Sequence, residues 1–162
     1  NADRVHAASL AQLVNVIAPI MTEPNGPAWR QTTFYPFSLT AAWAKGGSVL
    51  EPKIESPQYH TDRYGDVAST NAVAVRGADG SVSVFVTNRS LDDECTFDIK
   101  LPEGFTPHEI EALTLHDDDI LAANTLHDQH RVEPYTNDSA SMHSGTVSVT
   151  LPPVSWTAIQ IR

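Results

Sequence analysis

Between Val67 and Arg162 the chain alternates apolar and polar residues in six separate runs: NAVAVRG, SVSVFVTN, CTFDIKL, EIEALTLH, GTVSVTL and SWTAIQIR. Successive side chains of a strand point to opposite faces, so each run makes a strand with one dry face and one wet face. Turn residues separate several of them, as at Gly77-Ala78-Asp79-Gly80 and Pro102-Glu103-Gly104. Strands of this kind bury their apolar faces only against another layer. The pattern therefore predicts a mainly β protein built on an antiparallel β-sandwich. Asp117–Ser144 is a long polar excursion between two of the runs.

The opening residues follow a different period. In Ala2–Ile17, Leu10, Leu13, Val14 and Ile17 are spaced i, i+3, i+4, i+7, the apolar stripe of a helix that Asn1 or Asp3 could cap. VIAPIMT (16–22) is apolar without alternation, as in a strand covered on both faces in a parallel sheet. A Gly/Pro-punctuated loop follows, and Thr32–Ala44 is predicted as a second helix with Pro36 in its first turn or at a kink. A helix–strand–helix unit cannot close on itself, because one parallel strand leaves open N–H and C=O groups on both edges. The expected organisation is an incomplete unit at 1–45, a connector at 46–66 and the sandwich at 67–162. The chain thus reads as the tail of a larger protein.

Composition narrows the function classes. The net charge is −10, with 20 acidic against 10 basic residues, which argues against nucleic-acid or anionic-membrane partners. The single cysteine, Cys95, excludes an intrachain disulfide and suits a reducing cytosol. It lies in a strand-like run, where a small buried hydrophobe is expected rather than a nucleophile. No run approaches the length of a membrane span.

Trp29-Arg30-Gln31 is the leading candidate site. An aromatic face meets the C–H surface of a sugar ring, and Gln offers both a donor and an acceptor to hydroxyls. The alternative is that Trp29 packs beneath the loop and Arg30 forms an ion pair. His127 and His130, with His116 and Asp119 nearby, could be gathered around zinc. A solvated loop is the plainer reading, and no metal site is expected. His60 and Asp62 could form an acid–base pair or simply occupy a surface turn. Glu23 sits where barrel enzymes keep catalytic groups, but glycoside hydrolysis needs two carboxylates and no convincing second one lies in the same unit. Thr87 and Ser90 have no base nearby in sequence to activate them.

The run NADRVHAASLAQLVNVIAPIMTEPNGPAWRQTTFYPF resembles the C-terminal region of α-L-arabinofuranosidases of glycoside hydrolase family 51. VFVTNRS (84–90), Asn124-Thr125 leading to Arg131-Val132-Glu133-Pro134, and the closing LPPVSWTAIQIR agree with it in the same order. The resemblance implies a (β/α)₈ catalytic barrel followed by a jelly-roll type β-sandwich. It implies release of terminal arabinofuranosyl groups from arabinoxylan- and arabinan-type saccharides with retention, through one Glu as acid/base and another as nucleophile. Both would lie upstream of Asn1, so this chain would hold no catalytic residue and be inactive alone. Ala2–Ile17, Ala18–Thr22 and Thr32–Ala44 would be the helix before the last barrel strand, that strand, and the helix after it. Gln31 matches a position that contacts the arabinose ring. No cofactor is implied, and the intact enzyme would be a cytoplasmic homo-oligomer. The alternative function is an independent carbohydrate-binding module. Against it, the aromatics of the second part (Phe85, Phe97, Phe105, Tyr135 and Trp156) sit mostly at core-like positions. Leu10, Leu13, Phe34, Tyr35 and Phe37 would lack barrel partners here, so self-association or disorder of 1–45 is expected.

Overall fold

All six alternating runs are strands in the computed structural model, which describes residues 2–162. In chain order, β1 (Ile20–Thr22) and β2 (Ala28–Arg30) form a hairpin and α1 (Phe34–Trp43) follows. Then come β3 (Ser48–Leu50) and a second hairpin of β4 (Gln58–Thr61) and β5 (Gly65–Ala68). The remaining strands are β6 (Thr70–Arg76), β7 (Val82–Asn88), β8 (Cys95–Lys100), β9 (Ile110–Leu115), β10 (Tyr135–Thr136), β11 (Ser141–His143), β12 (Thr146–Leu151) and β13 (Ser155–Ile161).

A six-stranded sheet in the order β10-β9-β13-β7-β6-β3 faces a three-stranded sheet in the order β11-β12-β8, and every pairing is antiparallel. The inward residues are those the alternation selects. Val82, Val84 and Val86 of β7, and Ile159 and Ile161 of β13, meet Val147, Val149 and Leu151 of β12, with Phe97 and Ile99 of β8 packed against them. Full burial of each such aliphatic side chain is worth about 1.5–3 kcal/mol. Buried polar groups are answered within the core. Asn88 Nδ2 donates to the carbonyls of Asp93, Leu151 and Pro152 at 2.9, 3.1 and 3.0 Å. Thr114 and Thr157 bond each other at 2.8 Å, and Asn137 Nδ2 donates to Thr114 Oγ1 at 2.9 Å.

The turn between β6 and β7 shows why its glycine is needed. Gly80 has φ 89°, a left-handed conformation that a side chain disfavours, and its N–H closes onto Gly77 O at 3.1 Å. The stretch at 46–66 is not featureless, since it supplies β3 to the edge of the larger sheet and the exposed β4–β5 hairpin.

α1 lies over the outer face of the larger sheet. Trp43 meets Phe85 at 6.4 Å between ring centroids, and Phe85 stacks on Trp156 at 6.1 Å. Pro36 falls in the first turn of α1, where its missing N–H would have no helical partner anyway. The predicted second helix is therefore present, shortened at both ends.

The predicted first helix is not. Residues 2–17 contain no helix, and Gln12, Asn15 and Val16 have φ near 60°, which a right-handed helix does not admit. The stripe is not buried: Leu10, Leu13, Val14 and Ile17 are 41%, 79%, 41% and 70% exposed. A helix this short is marginal in water without a buried face. The strand predicted after it also differs. It is shorter, half-buried, and paired antiparallel with its own following loop, Ile20 opposite Arg30 and Thr22 opposite Ala28. The open backbone groups of a lone strand find their partners locally. Asn15 closes the arrangement, its side chain donating to Thr22 Oγ1 at 2.8 Å and accepting from Thr22 N at 2.7 Å. The possible cap Asn1 lies outside the described residues.

Candidate functional site

The β1–β2 hairpin carries the Trp29-Arg30-Gln31 segment. Its turn has Pro24 at the second position and Asn25 at the third, with φ 56° at Asn25 and a bond from Gly26 N to Glu23 O of 3.0 Å, the pattern of a type II turn. A Cβ on Gly26 would come within 2.8 Å of Glu23 Cβ, so the turn closes only around glycine. Beyond β2, Gln31 N donates to Pro19 O at 2.8 Å, and Phe34 N donates to Gln31 O at 2.9 Å to start α1. Gln31 is thus fixed between the end of a ladder and the first turn of a helix.

The long excursion after β9 clamps this segment from the other side. Trp29 is buried, and its indole Nε1 donates to Asn124 O at 3.2 Å. Gln31 Nε2 donates to the same carbonyl at 3.0 Å. Asn124, 2% exposed, donates through Nδ2 to Arg30 O at 2.9 Å and Val132 O at 3.0 Å, and accepts from Val132 N at 2.8 Å. Arg30 lies over the Phe34 ring at 4.7 Å, in place of the ion pair considered from sequence. Gln31 Oε1 accepts no bond from any described residue.

A second tie sits one helical turn on. Tyr35 O–H donates to Glu133 Oε1 at 2.7 Å, and His130 Nδ1 lies 2.8 Å from the same oxygen. Burial, then the bond to Glu133 and its charge, pushes the Tyr35 hydroxyl up to about 12. The Tyr35 hydroxyl, followed by His130, holds the Glu133 carboxyl below the ordinary glutamate range. Glu133 is therefore an ionised structural acceptor and a poor proton donor.

The remaining sequence candidates are dispersed. Asp119 and Asp117 face Arg131 at 3.3 and 3.2 Å, which holds Asp117 below its usual range. His130 is taken by Glu133, His116 Nε2 lies 3.3 Å from Asp118, and His127 stands exposed. No group of three His, Cys, Asp or Glu among the described residues could hold a metal ion. His60 pairs across its hairpin with Asp66 at 2.8 Å rather than with Asp62. Glu23 is exposed on the turn. Thr87 Oγ1 bonds Asn71 O at 3.4 Å, and Ser90 Oγ accepts from Asp93 N at 3.0 Å, so neither meets a base. Burial, with Asp98 second, pushes the Cys95 thiol up, away from a reactive thiolate. Phe97 and Phe105 pack against the core and Phe85 stacks beneath α1; of the sandwich aromatics, Tyr135 is the large exposed one, at 43%. An open groove of about 420 Å³ beside the clamp, lined by Thr32, Arg89, Leu91, His116, Asp119 and Trp156 among others, includes neither Trp29 nor Gln31. No helix among the described residues is long and apolar enough to cross a membrane.

Sequence reasoning singled out Gln31 and Trp29 but not the residues that hold them. Asn124 and Glu133 lie in a polar stretch without periodicity. Both stand out in the sequence only within the family-like stretch from Asn124-Thr125 to Glu133-Pro134, with nothing local to tie them to Trp29, Gln31 or Tyr35.

Fold and site together define a β-sandwich domain that grips a hairpin–helix segment with one of its own loops. Comparison with known proteins supplies the family. The family model for the α-L-arabinofuranosidase C-terminal domain matches residues 1–155, and the chain belongs to this family. It is 67% identical over its whole length to an exo-α-(1→6)-L-arabinofuranosidase of Bifidobacterium longum, spanning 31% of that protein. It is 45% identical over 99% of its length to an intracellular exo-α-(1→5)-L-arabinofuranosidase of Streptomyces lividans, spanning 24% of it. Among solved structures, a family 51 α-L-arabinofuranosidase from Bifidobacterium longum superposes with a TM-score of 0.90 at 41% identity, covering 99% of this chain and 32% of that one. The family 51 enzyme of Xanthomonas axonopodis pv. citri gives 0.88 at 27% identity, covering 99% and 32%. The chain thus spans about a quarter to a third of the relatives it matches.

Proposed function

We propose that this chain is the C-terminal part of a retaining exo-α-L-arabinofuranosidase that releases terminal arabinofuranosyl groups from arabinan- and arabinoxylan-type saccharides. In this reading residues 1–45 are the last portion of a (β/α)₈ catalytic barrel, 46–66 connect, and 67–162 form a supporting sandwich. The acid/base and nucleophile carboxylates come from the rest of the barrel, so the chain alone is inactive. The intact enzyme is a cytoplasmic homo-oligomer that works without a cofactor. Its relatives' names support the arabinofuranosyl substrate. The placement of Glu133, a carboxylate committed to Tyr35 and His130, supports catalytic carboxylates that come from elsewhere.

The observation that carries a binding role is Gln31. It is held from its backbone and from its amide nitrogen, yet Oε1 has no donor among the described residues. A fixed, unanswered acceptor beside a packed indole suits a sugar hydroxyl. The test is the full-length protein with Gln31→Ala. On an aryl α-L-arabinofuranoside, kcat/KM is expected to fall at least about tenfold, the worth of one good hydrogen bond. Unchanged kcat/KM would remove Gln31 from the site.

A further inference from the structure

We propose that Asn124 is a positioning residue for the saccharide site, a brace reaching out of the β-sandwich that sets which end of the Gln31 amide faces the sugar. The inference rests on reading Gln31 as a sugar-binding residue. Asn124 lies 93 positions beyond Gln31 in sequence and meets it only through the fold. Its carbonyl can accept but not donate, so the Gln31 amide must turn its NH₂ toward it. That fixes the orientation: Oε1 and the second N–H remain for a ligand, and Oε1 reads a hydroxyl as an acceptor. The same carbonyl receives the N–H of the buried Trp29 indole, so one backbone oxygen holds both the packed ring beneath the loop and the Gln31 amide beside it.

The carbonyl is itself immobilised by its own side chain. Nδ2 spans Arg30 O and Val132 O, and Oδ1 takes Val132 N–H, tying the brace to the backbone on both sides of the gap. At 2% exposure, water does not replace these bonds. Without that side chain the carbonyls of Arg30 and Val132 lose a buried donor, and Asn124 O is free to shift. A displacement of about 1 Å in a binding group costs on the order of a hundredfold in rate.

The experiment uses the full-length protein with Asn124→Ala, Gln31→Ala, the double variant and Gln31→Glu, all assayed on an aryl α-L-arabinofuranoside. Asn124→Ala is expected to lower kcat/KM by about tenfold to a hundredfold. The double variant should then be little worse than Gln31→Ala alone, because both changes remove one interaction. Gln31→Glu keeps the acceptor but cannot donate to Asn124 O while ionised. It should match Gln31→Ala near neutral pH and recover relative to wild type as pH falls toward about 4.3, where its carboxyl regains a proton to donate. A purely structural Asn124 would give losses that multiply in the double variant and a Gln31→Glu ratio flat with pH; either result overturns the proposal. So does a folded Asn124→Ala with wild-type kcat/KM. Should Asn124→Ala fail to fold, the Gln31→Glu profile decides alone. If Gln31→Ala is fully active, the sugar-binding reading falls and the brace falls with it. If Gln31→Ala is impaired while Asn124→Ala is not, only the brace falls.

Discussion

Residues 146–161 and residues 2–17 are both rich in Val, Leu and Ile, and the molecule treats them in opposite ways. Val147, Val149, Leu151, Ile159 and Ile161 are wholly buried, whereas Leu13, Val16 and Ile17 stand more than two-thirds exposed. Periodicity tells a segment which face it would bury; only a second surface lets it do so. The sandwich strands bring that surface with them, because each sheet is the other's partner. The opening stripe has none in this chain, and its helix does not form.

The contrast can be broken most sharply by paired leucine substitutions followed in urea. Leu151→Ala is expected to cost about 2–5 kcal/mol, and Leu13→Ala less than about 0.5 kcal/mol. Equal costs would mean that the opening stripe is buried after all. Asn88→Ala comes next, at about 1–3 kcal/mol, because three carbonyls around one buried amide lose their donor together.

Tyr35→Phe tests the seam between the two regions, with an expected loss of about 1 kcal/mol. Its pH signature is more specific. Glu133 titrates below its ordinary value in the fold, so its share of the seam is present above about pH 4.3 and is lost as pH falls through the lowered value. Tyr35 is raised, so its share is complete below about pH 10 and is lost as pH rises through about 12. Tyr35→Phe should flatten both limbs of a stability–pH curve; unchanged limbs would show that the seam is not held there. The smallest effect is expected from Leu13→Ser, which should leave the melting temperature unchanged and reduce concentration-dependent association in gel filtration. Equal elution of both proteins at every concentration would show that the exposed stripe is not adhesive.

Most of the sandwich was legible in the sequence because alternation and turn residues are local signals. NAVAVRG through SWTAIQIR each became a strand, and Gly80 closes the turn its position suggested. The opening segment was misread because the same stripe serves a helix only when something covers it. Gln31 and Trp29 could be named, since an aromatic and an amide on a Gly/Pro loop are visible chemistry. Asn124, Tyr35 and Glu133 could not be joined to them. Their contacts span more than ninety residues, and no spacing rule connects an asparagine in a polar loop to a distant tryptophan.

We propose that the sandwich folds on its own while the chemistry needs the rest of a barrel. The most direct measurement places the 162-residue chain and the full-length protein side by side, recording a thermal melt and turnover of an aryl α-L-arabinofuranoside. The short chain should melt cooperatively and release nothing above buffer, while the full-length protein turns over. Hydrolysis by the short chain would contradict the account.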